Sequence, residues 1–290
     1  MSEIPIPVPT PRLGAMLTKL AADRRSATGL LFVGLAVLMA LAAPLIATHD
    51  PNRPDFVATL AAPSLDHLFG TDDLGRDTFS RVVYGAQASI LVGVLSVAAA
   101  FVFGTVLGLV AGFFGRWIDA LIMRVMDVIF AFPSILLALA ITAVLGPSLT
   151  NAVLAIAIVN LPVFARIARA QTLIVARLDF VEAGRAIGAT TPRLLFRTIL
   201  PNILTPVIVQ GSLLFASAII TESYLSFLGL GVQPPTPTWG NMLRNAIGFL
   251  DLAPWLACFP GLAIFLVVLG FNVLGDGLRD KLDPRDASPG

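Results

Sequence analysis

The sequence has few of the side chains on which most enzymes and soluble domains depend. Its 290 residues include one cysteine, two histidines and two lysines, and only 13% of them are charged. The single cysteine, Cys258, excludes an intramolecular disulfide and a thiolate metal cluster. Neither Lys19 nor Lys281 ends a glycine-rich phosphate loop, so the chain is not expected to bind ATP itself. His49 and His67 are eighteen positions apart with no cysteine nearby, and this spacing predicts no metal site and no cofactor.

The composition is instead strongly apolar. Hydrophobic residues make up 57% of the chain and the mean hydropathy is +0.88, which is typical of a membrane protein and excludes an ordinary soluble domain. The net charge of +1 is spread along the chain without a basic patch, so no nucleic-acid partner is expected. Because no set of nucleophile, base and orienting residue is visible, the chain is not predicted to be an enzyme.

Long uncharged stretches predict an all-α protein that crosses the membrane six times. A helix needs about 20 apolar residues to cross about 30 Å of hydrocarbon. Pro133 and Pro162 fall inside the predicted spans and are expected to kink them. The six spans are predicted at 26–48, within 88–115, in the two halves of 128–165 around Gly146, at 205–228 and at 252–275.

The distribution of basic residues predicts the orientation. Fifteen of the nineteen lysines and arginines fall in the segments on one side of the six spans and four on the other, so the positive-inside rule places both termini in the cytoplasm. The expected divisions are a cytoplasmic tail (1–25), a first span (26–48), an external loop ending in an interfacial helix (49–87), a core of five further spans (88–284) with an external loop at 229–251, and a cytoplasmic tail (285–290).

A polar hairpin at residues 179–201 interrupts the apolar sequence on the cytoplasmic side. Asp179 followed by Glu182 is a capping-box pattern, which predicts a short helix with Asp179 as its N-cap. Gly188 is predicted to end that helix in the left-handed conformation. Thr191 before Pro192 is predicted to cap and begin a second helix.

The composition of the first hairpin helix suggests a surface that another protein contacts. Ala183 and Gly184 keep the helix thin, so that a partner can approach its backbone, and Arg185 offers a forked donor for carboxylates. These features predict a docking surface. The alternative is an ordinary basic cytoplasmic loop.

Two further features of the spans are informative. Gly104, Gly108 and Gly112 repeat every four residues and predict a face on which two helices pack closely. Glu222 is the one acid deep in an apolar stretch, and a carboxylate at such depth is costly unless it faces water, a partner or a substrate. Three roles stay open for Glu222: a gate or a residue of the translocation path, a contact with a partner subunit, and a proton relay.

The hairpin resembles the EAA loop of the membrane subunits of ATP-binding-cassette importers at five positions: Glu182, Ala183, Gly188, Leu200 and Pro201. It departs from that pattern at two others, since Gly184 stands where a second alanine is usual and Thr198 stands where an isoleucine is usual. Four more segments resemble the dipeptide, oligopeptide and nickel importer permeases, most of all the second permease subunit of the dipeptide systems: 70–87, 131–139, 226–243 and 259–284.

The resemblance implies a type I importer permease in a bacterial inner membrane. It implies a homologous permease as partner, two cytoplasmic ATPases that hold ATP and magnesium, and an external binding protein that delivers a peptide. It also implies an ATPase-coupling surface formed by Asp179, Glu182, Ala183, Gly184, Arg185, Gly188, Leu200 and Pro201. A nickel-chelate importer of the same family is the nearest alternative, and an ion-coupled carrier that uses Glu222 is a more distant one.

Overall fold

The computed structural model describes residues 23–282, whose regular secondary structure is helical. Those residues contain no β-strand, only an isolated antiparallel bridge between Thr71 and Asp77. The predicted tails at 1–25 and 285–290 lie almost entirely outside the described residues. The helices are α1 (Arg24–Leu41), α2 (Ala43–Ile46), α3 (Thr78–Phe114), α4 (Arg116–Phe130), α5 (Ser134–Leu145), α6 (Leu149–Val175), α7 (Asp179–Ala186), α8 (Thr191–Arg193), α9 (Leu200–Phe227), α10 (Trp239–Ala246) and α11 (Trp255–Leu282).

Four of the described helices are long and apolar enough to cross a membrane, and a fifth span is present if α4 and α5 count as one broken span. The predicted first span is shorter than expected, because α1 ends at Leu41 and the four-residue α2 follows it. Pro44 explains this interruption, since it has no N–H to donate to the carbonyl of Ala40. The side-chain amide of Gln87 donates to that carbonyl instead, at 2.8 Å.

The third predicted span is broken. The chain turns by 90° between α4 and α5, with Pro133 in extended backbone just before α5. The expectation of a kinked but continuous span there was wrong, because Pro133 separates two helices and does not bend one. Pro162, in contrast, lies within α6.

The core is built on α3, which packs along α6 and against α9. Phe101 of α3 meets Phe164 of α6 edge to face, with 5.6 Å between ring centroids. Gly93 of α3 lies against Phe215 and Ile219 of α9. These three helices therefore form the centre of the bundle, where Phe164 and Ile219 are fully buried.

Helix α3 begins earlier than expected. Its first residue is Thr78 and it continues without a break to Phe114, so the predicted boundary at residue 87 falls inside it. The residues predicted to lie at the membrane interface, among them Val82, Val83 and Ala86, are instead buried in the protein. The first turns of this long uncharged run are thus packed within the protein.

The two ends of α3 carry different parts of the chain. At its first turn the loop 229–251 packs on it, with the indole N–H of Trp239 donating to the carbonyl of Val82 at 3.0 Å. At its last turn the guanidinium of Arg185, from α7, lies over the ring of Phe113 at 5.3 Å. Helix α3 has 37 residues and is about 55 Å long at a rise of 1.5 Å per residue. The two contacts are 31 residues apart, or about 47 Å.

Candidate functional site

The hairpin begins with α7, which starts one residue earlier than its sequence pattern predicts. Leu178, in extended backbone, is the N-cap, and no side chain caps the helix. Asp179 and Glu182 both lie in the first turn, so the predicted capping box is not formed. Their carboxylates instead favour the helix through its dipole, whose positive end is at this turn.

Gly188 ends α7 in the left-handed conformation, with φ of +79°. Its N–H donates to the carbonyl of Arg185 and the N–H of Ala189 donates to that of Gly184, both at 3.0 Å. This pair of bonds is a Schellman motif, which satisfies carbonyls that would otherwise lack donors at the helix end. The sharp turn predicted at Gly188 is therefore present, and it fixes the direction in which the chain leaves α7.

The second half of the hairpin joins directly to the membrane helix α9. Thr190 and not Thr191 is the N-cap of α8, and a π-helical turn at Leu194–Ile199 links α8 to α9. Pro201 lies at the second position of α9 and has no N–H for the carbonyl of Arg197. The widened turn thus lies where a regular helix would lack one hydrogen bond.

The hairpin keeps little of its own surface buried. Val181 of α7 is fully buried and packs toward Leu194, and Gly184 lies so near that a Cβ there would be 3.0 Å from Leu194 Cδ2. Most other hairpin side chains point outward. Ile187, beside the turn, is 86% exposed and Phe180 is 44% exposed.

The predicted glycine face lies directly against α6. A Cβ at Gly104 would be 2.6 Å from the Cβ of Phe164, and one at Gly108 would be 2.2 Å from the carbonyl oxygen of Ala165. At Gly112 it would be 2.8 Å from the Cβ of Thr172. Only glycine lets the two backbones approach this closely.

Helix α4 is tied to the C-terminal half of α6 by two ion pairs. Arg169 makes a forked pair with both carboxylate oxygens of Asp119, and Arg166 pairs with Asp127 at 2.8 Å. Arg166 also lies over the ring of Phe130, 4.4 Å from its centroid. These contacts hold α4 across the bundle after the chain has left α3.

Glu222 is fully buried within this single chain. The hydroxyl of Ser226 donates to its Oε1 at 2.7 Å, and Ser89 of α3 lies beside the carboxylate. Oε2 has no hydrogen-bond partner among the described residues. Glu222 is thus enclosed by its own chain in this conformation, and its role stays a prediction.

Sequence spacing missed a cluster in the outer loop. His49, His67 and Asp77 each bring a possible ligand atom within 4.8 Å of the others. Asp77 is the N-cap of α3, and Asp followed three residues later by Ser80 was a sequence signal for that cap. Burial raises the pKa of Asp77, but hydrogen bonds from Ser80 and His67 outweigh it and leave the pKa below its ordinary value.

Comparison with known proteins identifies the family. Residues 104–286 match the model of the family described as "Binding-protein-dependent transport system inner membrane component". The chain belongs to this family. Its members are transport permeases and not enzymes, and the matched residues include the glycine face, the hairpin and α9.

Several members of the family resemble this permease along nearly its whole length. The dipeptide transport system permease protein DppC of Alkalihalophilus pseudofirmus is 49% identical over 267 residues, which cover 92% of this chain and 88% of that protein. The di/tripeptide transport system permease protein DppC of Pseudomonas aeruginosa is 49% identical, with coverage of 89% and 87%. The glutathione transport system permease protein GsiD of Pectobacterium atrosepticum is 46% identical, with coverage of 88% and 85%.

Proposed function

We propose that this permease is one half of the translocation pathway of an ATP-driven peptide importer. In this proposal it crosses the inner membrane six times with both termini in the cytoplasm, α1 and the bent pair α4 and α5 each being one span. A homologous permease forms the other half, an external binding protein delivers the substrate, and two cytoplasmic ATPases hold ATP and magnesium.

The observation that carries the proposal is the exposed hairpin at the cytoplasmic end of α3. Ile187 is 86% exposed and lies beside the Schellman turn at Gly188. Exposing so large an apolar side chain to water is unfavourable, and it is typical of a surface that a partner covers. Asp179, Glu182 and Arg185 surround it with charges of both signs, which favours a specific partner over lipid. We therefore assign α7 as the helix that the ATPase contacts.

The peptide substrate is proposed from the relatives. The three described above are named for dipeptides, di- and tripeptides, and glutathione, which is itself a tripeptide. Peptides therefore fit better than the nickel-chelate alternative, for which no observation on this chain argues.

The docking role is tested by adding bulk to α7. In the double variant Glu182→Ala and Ala183→Trp, the indole projects from an exposed face that a partner needs to approach closely. We expect the purified permease pair to retain less than about a tenth of the bound ATPases, which corresponds to a loss of about 1.4 kcal/mol. The measurement is the amount of ATPase recovered with the tagged permease in mild detergent.

The matched control for this variant is Leu65→Trp. Leu65 is 96% exposed and lies in the outer loop, at the other end of α3, so its substitution adds the same ring away from α7. Recovery of the ATPases should equal that of the unmodified protein. If the double variant also retained its ATPases and its uptake, the hairpin would not be the docking surface.

A Glu222→Gln variant separates the importer from an ion-coupled carrier. Glutamine has the shape of glutamate and can still accept the hydrogen bond from Ser226, so we expect assembly and ATP-driven uptake to stay within about twofold of the unmodified protein. An ion-coupled carrier would lose transport, because the amide cannot exchange a proton. Uptake of labelled dipeptide into proteoliposomes, with and without ATP inside, makes the distinction.

A further inference from the structure

Three separate parts of the outer loop bring two imidazoles and a carboxylate together. His49 follows the short helix α2, His67 lies near the middle of the loop, and Asp77 is the last residue before α3. The two histidine rings have centroids 4.8 Å apart. One possible ligand atom from each of the three residues lies within 4.8 Å of the others.

The carboxylate of Asp77 is held so that one oxygen faces the histidines. Its Oδ2 accepts from the N–H and the hydroxyl of Ser80, at 2.8 and 2.7 Å, and from the hydroxyl of Thr48 at 3.3 Å. Its Oδ1 lies 2.9 Å from Nδ1 of His67 and 3.8 Å from Nδ1 of His49. The helix cap thus occupies one oxygen, and the other faces the two histidines and is hydrogen-bonded to His67.

These separations suit a small transition-metal ion. Tetrahedral bonds of about 2.0 to 2.1 Å place neighbouring ligand atoms about 3.3 Å apart, and the two distances to Oδ1 lie on either side of that value. Two imidazole nitrogens and one carboxylate oxygen are a donor set that first-row transition metals prefer over Mg²⁺ or Ca²⁺.

The remaining position of such an ion would face solvent. The side chain of His49 is 45% exposed and that of His67 is 18% exposed, whereas that of Asp77 is 1% exposed. His49 also lines an outer cavity of about 780 Å³ between the first loop, α3 and the loop 229–251. An ion therefore has a path to the site, and a buried carboxylate to neutralise part of its charge.

We propose that His49, His67 and Asp77 form a binding site for a divalent transition metal, Zn²⁺ in the first instance. The ion joins the outer loop to the first turn of α3. Each imidazole binds it through a ring nitrogen that carries no proton. The site belongs to the outer loop and is independent of which solute the permease carries.

The loop is already aligned for this role by contacts that do not need an ion. The backbone N–H of His49 donates to Ser80 at 3.0 Å, and Arg81 donates to the carbonyl of Pro51 at 2.8 Å. Both bonds join the segment after α2 to the first turn of α3. The ligands are therefore positioned before an ion binds, which lowers the entropic cost of binding.

The test is a direct measurement of bound zinc. The full chain is purified with its co-expressed partners on a tag that contains no histidine, stripped with a chelator and dialysed against Zn²⁺ at pH 7.5. We expect about one Zn²⁺ per chain more than in His49→Gln or His67→Gln, because three ligands are the minimum of an open zinc site. With Co²⁺ as the probe, the absorption bands of four-coordinate cobalt should appear only in the unmodified chain.

Asp50→Asn is the matched control. Asp50 neighbours His49, is exposed, and accepts a hydrogen bond from the N–H of Asn52, which asparagine can also accept. This variant removes a negative charge next to the site but leaves all three proposed ligands in place. We expect it to bind the same amount of zinc as the unmodified chain.

Two results would overturn the site. One is an equal amount of bound zinc in the unmodified chain and in both histidine variants. The cluster would then only join the loop to α3 by hydrogen bonds. The other is an equal loss of bound zinc in Asp50→Asn, which would show that the negative charge of the loop alone attracts the ion. Both histidine variants keep Asp77 and Ser80 and hence the cap of α3, and a single symmetrical elution peak verifies that they are folded.

Discussion

Replacing Gly188 with proline is expected to abolish ATP-driven uptake while the chain still inserts into the membrane. Proline fixes φ near −65°, whereas Gly188 has φ of +79°, and it also removes the N–H that bonds to the carbonyl of Arg185. The cost to the turn exceeds about 1 kcal/mol. We expect uptake of labelled dipeptide into proteoliposomes to fall about tenfold or more, since a loss of about 1.4 kcal/mol is a factor of ten.

Gly188→Asn is the matched comparison for this prediction. Asparagine is the residue other than glycine that most readily adopts the left-handed conformation, and it keeps its backbone N–H. A Cβ at this position meets nothing within 4 Å, so the new side chain has room. Uptake should stay near that of the unmodified protein. Equal activity of the proline and asparagine variants would contradict a role for the turn.

Substituting Gly108 with alanine is expected to destabilise the whole bundle. The added Cβ would be 2.2 Å from the carbonyl oxygen of Ala165, so α3 and α6 would have to separate along their common length. Overpacking of this kind costs about 1 to 3 kcal/mol. The measurement is the midpoint of thermal unfolding in detergent, which should fall by several degrees, together with the yield of monodisperse protein.

Gly211→Ala makes the same chemical change in another membrane helix. Its Cβ would lie 3.8 Å from the ring of Phe164, which is ordinary van der Waals contact. Alanine is intrinsically favoured over glycine in a helix by about 1 kcal/mol, so the unfolding temperature should stay equal or rise. If Gly108→Ala behaved in the same way, the close approach of α3 and α6 would not contribute to stability.

The hairpin shows what local sequence specifies. Gly188 was predictable because a helix end that needs positive φ selects glycine, and the structure has that conformation. Asp179 was placed one position wrongly, since an acid is favourable both as an N-cap and in the first turn, and only the extended backbone of Leu178 distinguishes the two. The local sequence pattern therefore predicts reliably which helices and turns form. It predicts the first residue of each helix less reliably.

The membrane spans and the outer loop show where such reasoning ends. The all-helical class follows from hydropathy. In the run of 38 uncharged residues at 128–165, Pro133 predicts a kink, but nothing in the run predicts that the helix ends there and the chain turns by 90°. The proximity of His49, His67 and Asp77 depends on how a loop folds back onto α3, which spacing along the chain does not encode. The burial of Glu222 depends likewise on the packing of α9 against α3, where Ser89 lies beside the carboxylate.

Helix α3 has a mechanical consequence for any conformational change. It is one unbroken rod about 55 Å long, with Phe113 under Arg185 at one end and the Asp77 cap at the other. A tilt of about 5° about either end displaces the opposite end by about 5 Å, the rise of a full helical turn. A displacement of the hairpin end of α3 would therefore reach the loops at the opposite end directly, with no chain of intermediate side-chain rearrangements.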